Sequence, residues 1–265
     1  MAMQLDIHGH AAWAYTGGKA FNPTLPVVVF IHGAEHDHSV WALQSRYLAH
    51  HGRAVLAVDL PGHGRSAGAP LARIEALADW VVAVLDAAGV ATATLVGHSM
   101  GSLIALECAA RHPQRIAKLA LVGTAFPMRV ADELLNATRD DEPTAQQMVN
   151  LWSHSALAQY PGNPGPGFWV AGVNRRLMER QRAGVMHADF TACNDYSNGL
   201  EACRSIVAPV LLVLGKRDVM TPPRAAQDLI GALPNAGVVQ IEGAGHAIMA
   251  EKPDELLEAL RAFVP

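Results

Sequence analysis

The stretch TLVGHSMGSLIALECAARHP, Thr94 to Pro113, sets a serine between two glycines where an apolar run gives way to a helix-like one. Thr92 to Val96 reads as a buried strand, and Met100 to Arg111 as an Ala- and Leu-rich helix that stops before Pro113. Ser99 falls on the hinge between them. In GHSMG, Gly97 to Gly101, small residues two before and two after the serine permit a sharp strand-to-helix turn that a side chain at either place would obstruct. Such a turn holds the hydroxyl out above the sheet edge, as a nucleophile requires. A helix-capping serine is the alternative, and it leaves Gly97 without a reason.

On either side of this hinge, apolar runs and helix-like segments alternate. PVVVFIH (Pro26 to His32), the helical SVWALQSRYLAHHG and AVLAVDL (Ala54 to Leu60) make a βαβ pattern. In LARIEALADWVVAVLDAAG, residues Ile74, Leu77, Val81, Val84 and Leu85 form one apolar face, and Gly89 supplies the stop. The strand IAKLALVG (Ile116 to Gly123) follows the Ser99 helix. Near-continuous apolar strands separated by helices imply a parallel sheet covered on both faces. The N-terminal MQLDIHG and AAWAYTG are short enough for an antiparallel edge hairpin.

The rhythm breaks from Phe126 to Ser205, where helix-like pieces are divided by PGNPGPG (Pro161 to Gly167) and no strand pattern stands out. It resumes with APVLLVLG (Ala208 to Gly215), the helix PRAAQDLIGAL, the strand GVVQIEG and a last helix from Pro253 to Phe263. The expected organisation is a core of residues 1–125 and 206–265 interrupted by a helical lid, 126–205.

Bulk properties narrow the function classes. A chain of 265 residues, 51% apolar, can bury one large core without splitting. A net charge of −4 offers no basic stripe, so nucleic acid is not expected as a partner. There is no signal-peptide pattern and no apolar run near the roughly 18 residues that span a membrane, so a cytoplasmic protein with no membrane partner is expected. Cys108, Cys193 and Cys203 are an odd number without CxxC spacing, which disfavours a disulfide framework or a zinc site.

A serine hydroxyl needs a base, and the base an orienting carboxylate. Among 13 histidines, His246 in EGAGHAIMAEKP lies in a Gly-rich loop after the last strand, at the end where open α/β sheets place their sites. Asp218 in LGKRDVMTPP also follows a buried strand. The chain order Ser99, Asp218, His246 separates this set from two other triad orders. A turn-capping role for Asp218 and a satisfied loop role for His246 are the alternatives. Asp59 ends a strand too, but precedes Ser99, and is read as ordering the turn through Gly62 to Ser66. The backbone N–H groups of Ala34, after the PVVVF strand, and of Met100 are the expected oxyanion donors, aided by the helix that starts at Met100. His36, Asp37 and His38 carry ligand-type atoms, yet their spacing matches no usual zinc signature, so they are read as a polar loop at the pocket rim and no metal is expected. Trp152, Tyr160, Phe168, Trp169 and Phe190 from the lid, with Phe126, are the expected apolar pocket walls. Arg175, Arg176, Arg180 and Arg182 are read as a solvated helix face, with a carboxylate-binding site as the alternative.

With HGA and the downstream Trp41, DLPGHGRS, GHSMG, GKRDVMTP and GAGHAIMAEKP, nearly the whole chain resembles the α/β-hydrolase fold superfamily, in its serine esterase and C–C hydrolase branch. The resemblance implies a mostly parallel eight-stranded sheet, a helical lid after the sixth strand, the Ser99–Asp218–His246 triad and no cofactor. Many relatives carry a further glycine where this chain has Ser102. Relatives that cleave carbon–halogen bonds or epoxides place Asp at the position of Ser99, which argues against both reactions. The HDH loop is also similar to that of cofactor-free dioxygenases of this fold. The expected activity is hydrolysis of a small to medium neutral carboxylic ester through an acyl-enzyme. Lactone or C–C bond hydrolysis on the same triad, or a non-hydrolytic small-molecule receptor, are the alternatives.

Overall fold

The computed structural model describes residues 1–159 and 169–264. Eight strands form one sheet: β1 (Ala2–Ile7), β2 (His10–Tyr15), β3 (Val27–Ile31), β4 (Ala54–Val58), β5 (Ala93–His98), β6 (Ile116–Val122), β7 (Val210–Gly215) and β8 (Ala236–Ile241), in the order β1-β2-β4-β3-β5-β6-β7-β8. β1 and β2 make the antiparallel hairpin at one edge, and every pairing from β4 to β8 is parallel.

Alternation along the strands feeds two cores, because successive side chains leave opposite faces. In β3, Val27, Val29 and Ile31 join one cluster while Val28 and Phe30 join the other; in β7, Val210, Leu212 and Leu214 are divided from Leu211 and Val213 in the same way. The first face is covered by α2 (Ile74–Ala87) and α3 (Met100–Arg111), the second by α1 (Ala42–His50) and, at the chain's end, α12 (Pro253–Phe263). Between β6 and β7 run α4 (Asp132–Asp140), α5 (Glu142–Ser153), α6 (Ala156–Gln159), α7 (Val170–Met178), α8 (Val185–Asp195) and α9 (Gly199–Ser205); α10 (Gln227–Ala232) and α11 (Ile248–Glu251) flank β8. Leu134, Ala145, Val149, Met178, Met186 and Phe190 give this inserted group a small core of its own. The strand at the hinge runs two residues beyond the expected Val96, to His98, because Gly97 and His98 still pair with Leu121 and Val122 of β6. No helix among the described residues is long and apolar enough to cross a membrane.

The chain leaves β3 toward β4 on one side and returns to β5 on the other, which opens a crevice beyond the strand ends. Ile31 is opposite Gly97 in the β3–β5 register, so the HGA loop and the GHSMG turn emerge side by side. They are wedged together. A Cβ on Gly97 would collide with the Gly101 carbonyl, and one on Gly101 with the carbonyls of Ile31 and His32. Gly101→Ala should therefore lower stability by about 1–3 kcal/mol. Gly231→Ala, on an exposed turn of α10 with open space around it, should instead raise it by about 0.5–1 kcal/mol. Urea unfolding midpoints test the contrast; equal shifts would refute the packing account.

Candidate active site

Ser99 has φ 51° and ψ −118°, and is one of three non-glycine residues with positive φ among the described residues. Holding a side chain in this region costs on the order of 1–3 kcal/mol, so the packed glycines around it must enforce the conformation. Its amide donates to Val122 O at 2.9 Å, tying the turn to β6.

The loops after β7 and β8 bring Asp218 and His246 together: His246 Nδ1 lies 2.8 Å from Asp218 Oδ2, both side chains buried. Since the carboxylate can only accept, Nδ1 carries a proton, and Nε2 is the ring nitrogen left free of Asp218. Thr221 Oγ1 donates to the same Oδ2 at 2.7 Å and sits 3.1 Å from His246 Nδ1. The amides of Met220 and Thr221 donate to Asp218 Oδ1 at 2.9 and 2.8 Å. Burial opposes ionisation of Asp218, but the His246 charge and these hydrogen bonds outweigh it and hold the carboxyl at about 2. Gly123, at φ 56°, leaves room for the imidazole: a Cβ there would stand 3.3 Å from His246 Nδ1. His98 Nε2 donates to the His246 carbonyl at 2.9 Å, and Glu251 accepts from the Gly245 and Ser155 amides at 3.0 Å each, bracing the His246 loop.

Ser99 and His246 both line a cavity of about 220 Å³ whose walls include Ala34, Trp152, Phe190, Val149, Met220 and His36. Among the described residues, neither the Ala34 nor the Met100 amide donates to a protein acceptor. The Met100 side chain is itself fully buried in the core. Gly33 approaches the GHSMG turn so closely that a Cβ would meet Ser99 Cβ at 3.2 Å, which places the Ala34 loop beside Ser99.

Several expected wall residues lie elsewhere. Phe126 is not on the cavity; it is packed under Gly199 and edge-on to Tyr196, ring centroids 5.8 Å apart. Trp169 is 54% exposed and also off the cavity. Tyr160 and Phe168 lie outside the described residues. Trp152 and Phe190 do line the cavity. The four arginines are exposed and away from it: Arg175 and Arg176 pair with Glu179, and Arg180 with Asp37.

The HDH segment divides rather than forming one rim cluster. His36 is buried on the cavity wall, its Nε2 2.8 Å from Asn174 Oδ1. Asp37, His38 and Asp59 do bring ligand-type atoms within 4.8 Å of one another, but these atoms serve the loop: His38 N and Nδ1 both reach Asp59 Oδ1 at 2.8 Å, and Ser39 N donates to Asp37 Oδ1. Asp59 also takes the Arg65 amide on Oδ2 and the Ser66 hydroxyl on its carbonyl, the turn-ordering role expected for it.

The sequence reading missed the polar ties between this loop and the inserted helices. Glu35 is fully buried at φ 56°; its amide donates to Asp189 Oδ2 at 2.8 Å, and its Oε1 accepts from Gln146 at 2.8 Å. His63 Nε2 reaches the same Asp189 oxygen at 2.8 Å. No spacing in the sequence links residues so far apart. Burial raises the Glu35 carboxyl to about 8, against the Gln146 hydrogen bond and with help from the nearby Glu142 and Asp189 charges.

A family profile described as alpha/beta hydrolase fold matches residues 26–253. The chain is 31% identical over 243 residues to a pimeloyl-[acyl-carrier protein] methyl ester esterase of Chromobacterium violaceum, covering 89% of this chain and 92% of that protein. It is 30% identical over 268 residues to the dihydrolipoyllysine-residue acetyltransferase component of the acetoin cleaving system of Pseudomonas putida, spanning 95% of this chain but 66% of that one. Among solved structures, Est816, described as an N-acyl homoserine lactone degrading enzyme, superposes with a TM-score of 0.83 at 25% identity, covering 99% of this chain and 100% of its own.

Glu35 yields a pH test of stability. Its folded value lies above the ordinary 4.5, so between pH 4.5 and about 8 the folded chain keeps a proton that the unfolded chain has released, and stability falls as pH rises. Glu35→Gln should match the wild type near pH 4.5 and gain on it toward pH 8, by at most ~1.4 kcal/mol per pH unit. Parallel denaturation curves at every pH would refute the assignment.

Proposed function

The chain belongs to the α/β-hydrolase family, and we propose that it is a serine hydrolase cleaving a small to medium neutral carboxylic ester through an acyl-enzyme. The observation that carries this reading is the buried 2.8 Å Asp218–His246 contact opening, with the strained Ser99, onto one cavity. Ser99 Oγ attacks the ester carbonyl while His246 Nε2 takes its proton. The imidazolium returns that proton to the departing alkoxide. Asp218 holds the Nδ1–H tautomer and stabilises the cation. The amides of Ala34 and Met100 receive the oxyanion, and water activated by His246 then releases the acid.

The inserted helices, residues 126–205, act in this reading as a lid that supplies Trp152 and Phe190 to the apolar end of the cavity. Its modest volume and largely apolar walls suit a short or medium acyl chain. Lactones are included in the substrate range, favoured by the likeness to Est816. Three buried, unpaired cysteines fit a reducing, cytoplasmic compartment.

Ser99→Ala should lower ester kcat/KM by at least roughly a thousandfold with the fold intact, and should abolish labelling by a fluorophosphonate probe. Asp218→Asn should cost roughly four orders of magnitude in kcat by reversing the imidazole tautomer. Near-wild-type turnover in either variant refutes the triad. Across p-nitrophenyl esters from acetate to palmitate, the specificity constant should peak at short to medium chains; a maximum at palmitate refutes the pocket assignment.

A further inference from the structure

Ala34 lies between two peptide planes, and each is held by a buried partner. The Gly33 carbonyl accepts from His32 Nδ1 at 2.8 Å and from the His36 amide at 3.3 Å. His32 Nε2 accepts from the Leu60 amide at 3.1 Å, which leaves the proton on Nδ1. A trans peptide sends its N–H opposite to its C=O, so these bonds set the direction of the Ala34 N–H. The next plane is held from the inserted helices: the Glu35 amide donates to Asp189 Oδ2 of α8 at 2.8 Å.

That second plane is not in its relaxed orientation. The bond from His36 to Gly33 closes a four-residue turn whose third member, Glu35, has φ 56°, whereas Ala34 is not a positive-φ residue. This is the type II pattern, which favours glycine at the third place; a type I turn differs by turning over the central peptide and gives that residue an ordinary negative φ. Glutamate by itself favours the reversed peptide. Reversal would aim the Ala34 carbonyl at the Asp189 carboxylate. His63 fixes that carboxylate: its Nδ1 faces Pro61 O at 3.0 Å and its Nε2 faces Asp189 Oδ2 at 2.8 Å, so both nitrogens carry protons and the ring is a cation. Burial opposes this charge, but Asp189 and the two hydrogen bonds raise His63 above its ordinary range. Glu35, His63 and Asp189 are all at 1% exposure or less, and Asp189 Oδ1 has no partner among the described residues. A buried ion pair of this kind adds little stability, because desolvation offsets the attraction. What it fixes is the place of one acceptor.

We propose that Asp189 is a positioning residue for ester hydrolysis: by holding the Ala34–Glu35 peptide in its strained orientation, this carboxylate of the inserted helices keeps the Ala34 N–H aimed at the oxyanion. The assignment rests on the serine hydrolase reading above, with Ala34 as an oxyanion donor. His63 acts through Asp189.

The test measures kcat and KM for p-nitrophenyl butyrate, and Ki for propyl trifluoromethyl ketone, in wild type, Asp189→Leu and the double variant Asp189→Leu/Glu35→Gly. The ketone adds Ser99 Oγ to its carbonyl, and the oxygen of that tetrahedral adduct takes the oxyanion's place. Asp189→Leu should lower kcat by about tenfold, less than the roughly 100- to 1,000-fold of losing a donor outright, and should leave KM within about twofold. Its Ki should rise about as much as its kcat/KM falls. Glycine takes positive φ as readily as negative, so adding Glu35→Gly should recover kcat by at least about threefold although it also cuts the tie to Gln146. A residue that only braced the inserted helices would give the opposite sign, since the second substitution removes a further brace. Unchanged kcat in Asp189→Leu, a loss confined to KM, or a double variant no better than the single one overturns the assignment while the Ser99 mechanism stands. Where the leucine variant does not fold, Asp189→Ser, too short to reach the Glu35 amide, carries the same comparison with the same expectations. Failure of the wild type to hydrolyse the ester, or full activity in Ser99→Ala, overturns the hydrolase reading and this assignment with it.

Discussion

Steric exclusion at the meeting of β3, β5 and α3 is the constraint on which the rest depends. The backbone of the GHSMG turn lies against the carbonyls of Ile31 and His32, with no space for a Cβ at Gly97 or Gly101. That closeness leaves Ser99 no relaxed conformation, and its positive φ is the result. Two extended apolar strands in parallel register supply the force, since slipping the β3–β5 pairing by one residue would turn Val28 and Phe30 into the wrong core. The serine's geometry is thus fixed by the packing of residues that have no chemistry of their own.

Charge is managed by a different device. Asp218 receives two backbone amides, a threonine hydroxyl and an imidazole N–H, which together occupy both carboxylate oxygens. A carboxylate so surrounded stays ionised although buried. Glu35, between the cavity-lining Ala34 and His36, meets one side-chain amide and two neighbouring negative charges, and burial moves it the opposite way. Two carboxyls in one molecule are driven apart by the donors each receives.

The sheet, the Ser99 turn and the loops that bring Asp218 to His246 were legible because they are local. The GHSMG turn is written in five consecutive residues, and Asp218 and His246 each follow a strand recognisable from its own apolar run. The cavity walls were not legible in the same way. Phe126 and Trp169 have the right side chains, yet helix packing turns Phe126 under Gly199 and leaves Trp169 outside, and aliphatic residues such as Val149 and Met220 take their place. His36 read as part of a rim cluster because Asp37 and His38 adjoin it. Its burial depends on Asn174, 138 positions away. Helical periodicity tells which face of a helix is apolar, but not which apolar side chain meets a cavity shared with a distant loop.

The loop that carries Ala34 is gripped from the opposite side by the inserted helices: Glu35 by Gln146 of α5 and Asp189 of α8, and His36 by Asn174 of α7. These helices are therefore not an interchangeable cover. A graft that replaces residues 126–205 with the corresponding segment of a relative would strand three buried polar groups on two loops of the recipient core unless residues 35, 36 and 63 travelled with it. Inheritance in this protein is modular by contact network, and the boundaries of that module do not coincide with the boundaries of the insertion.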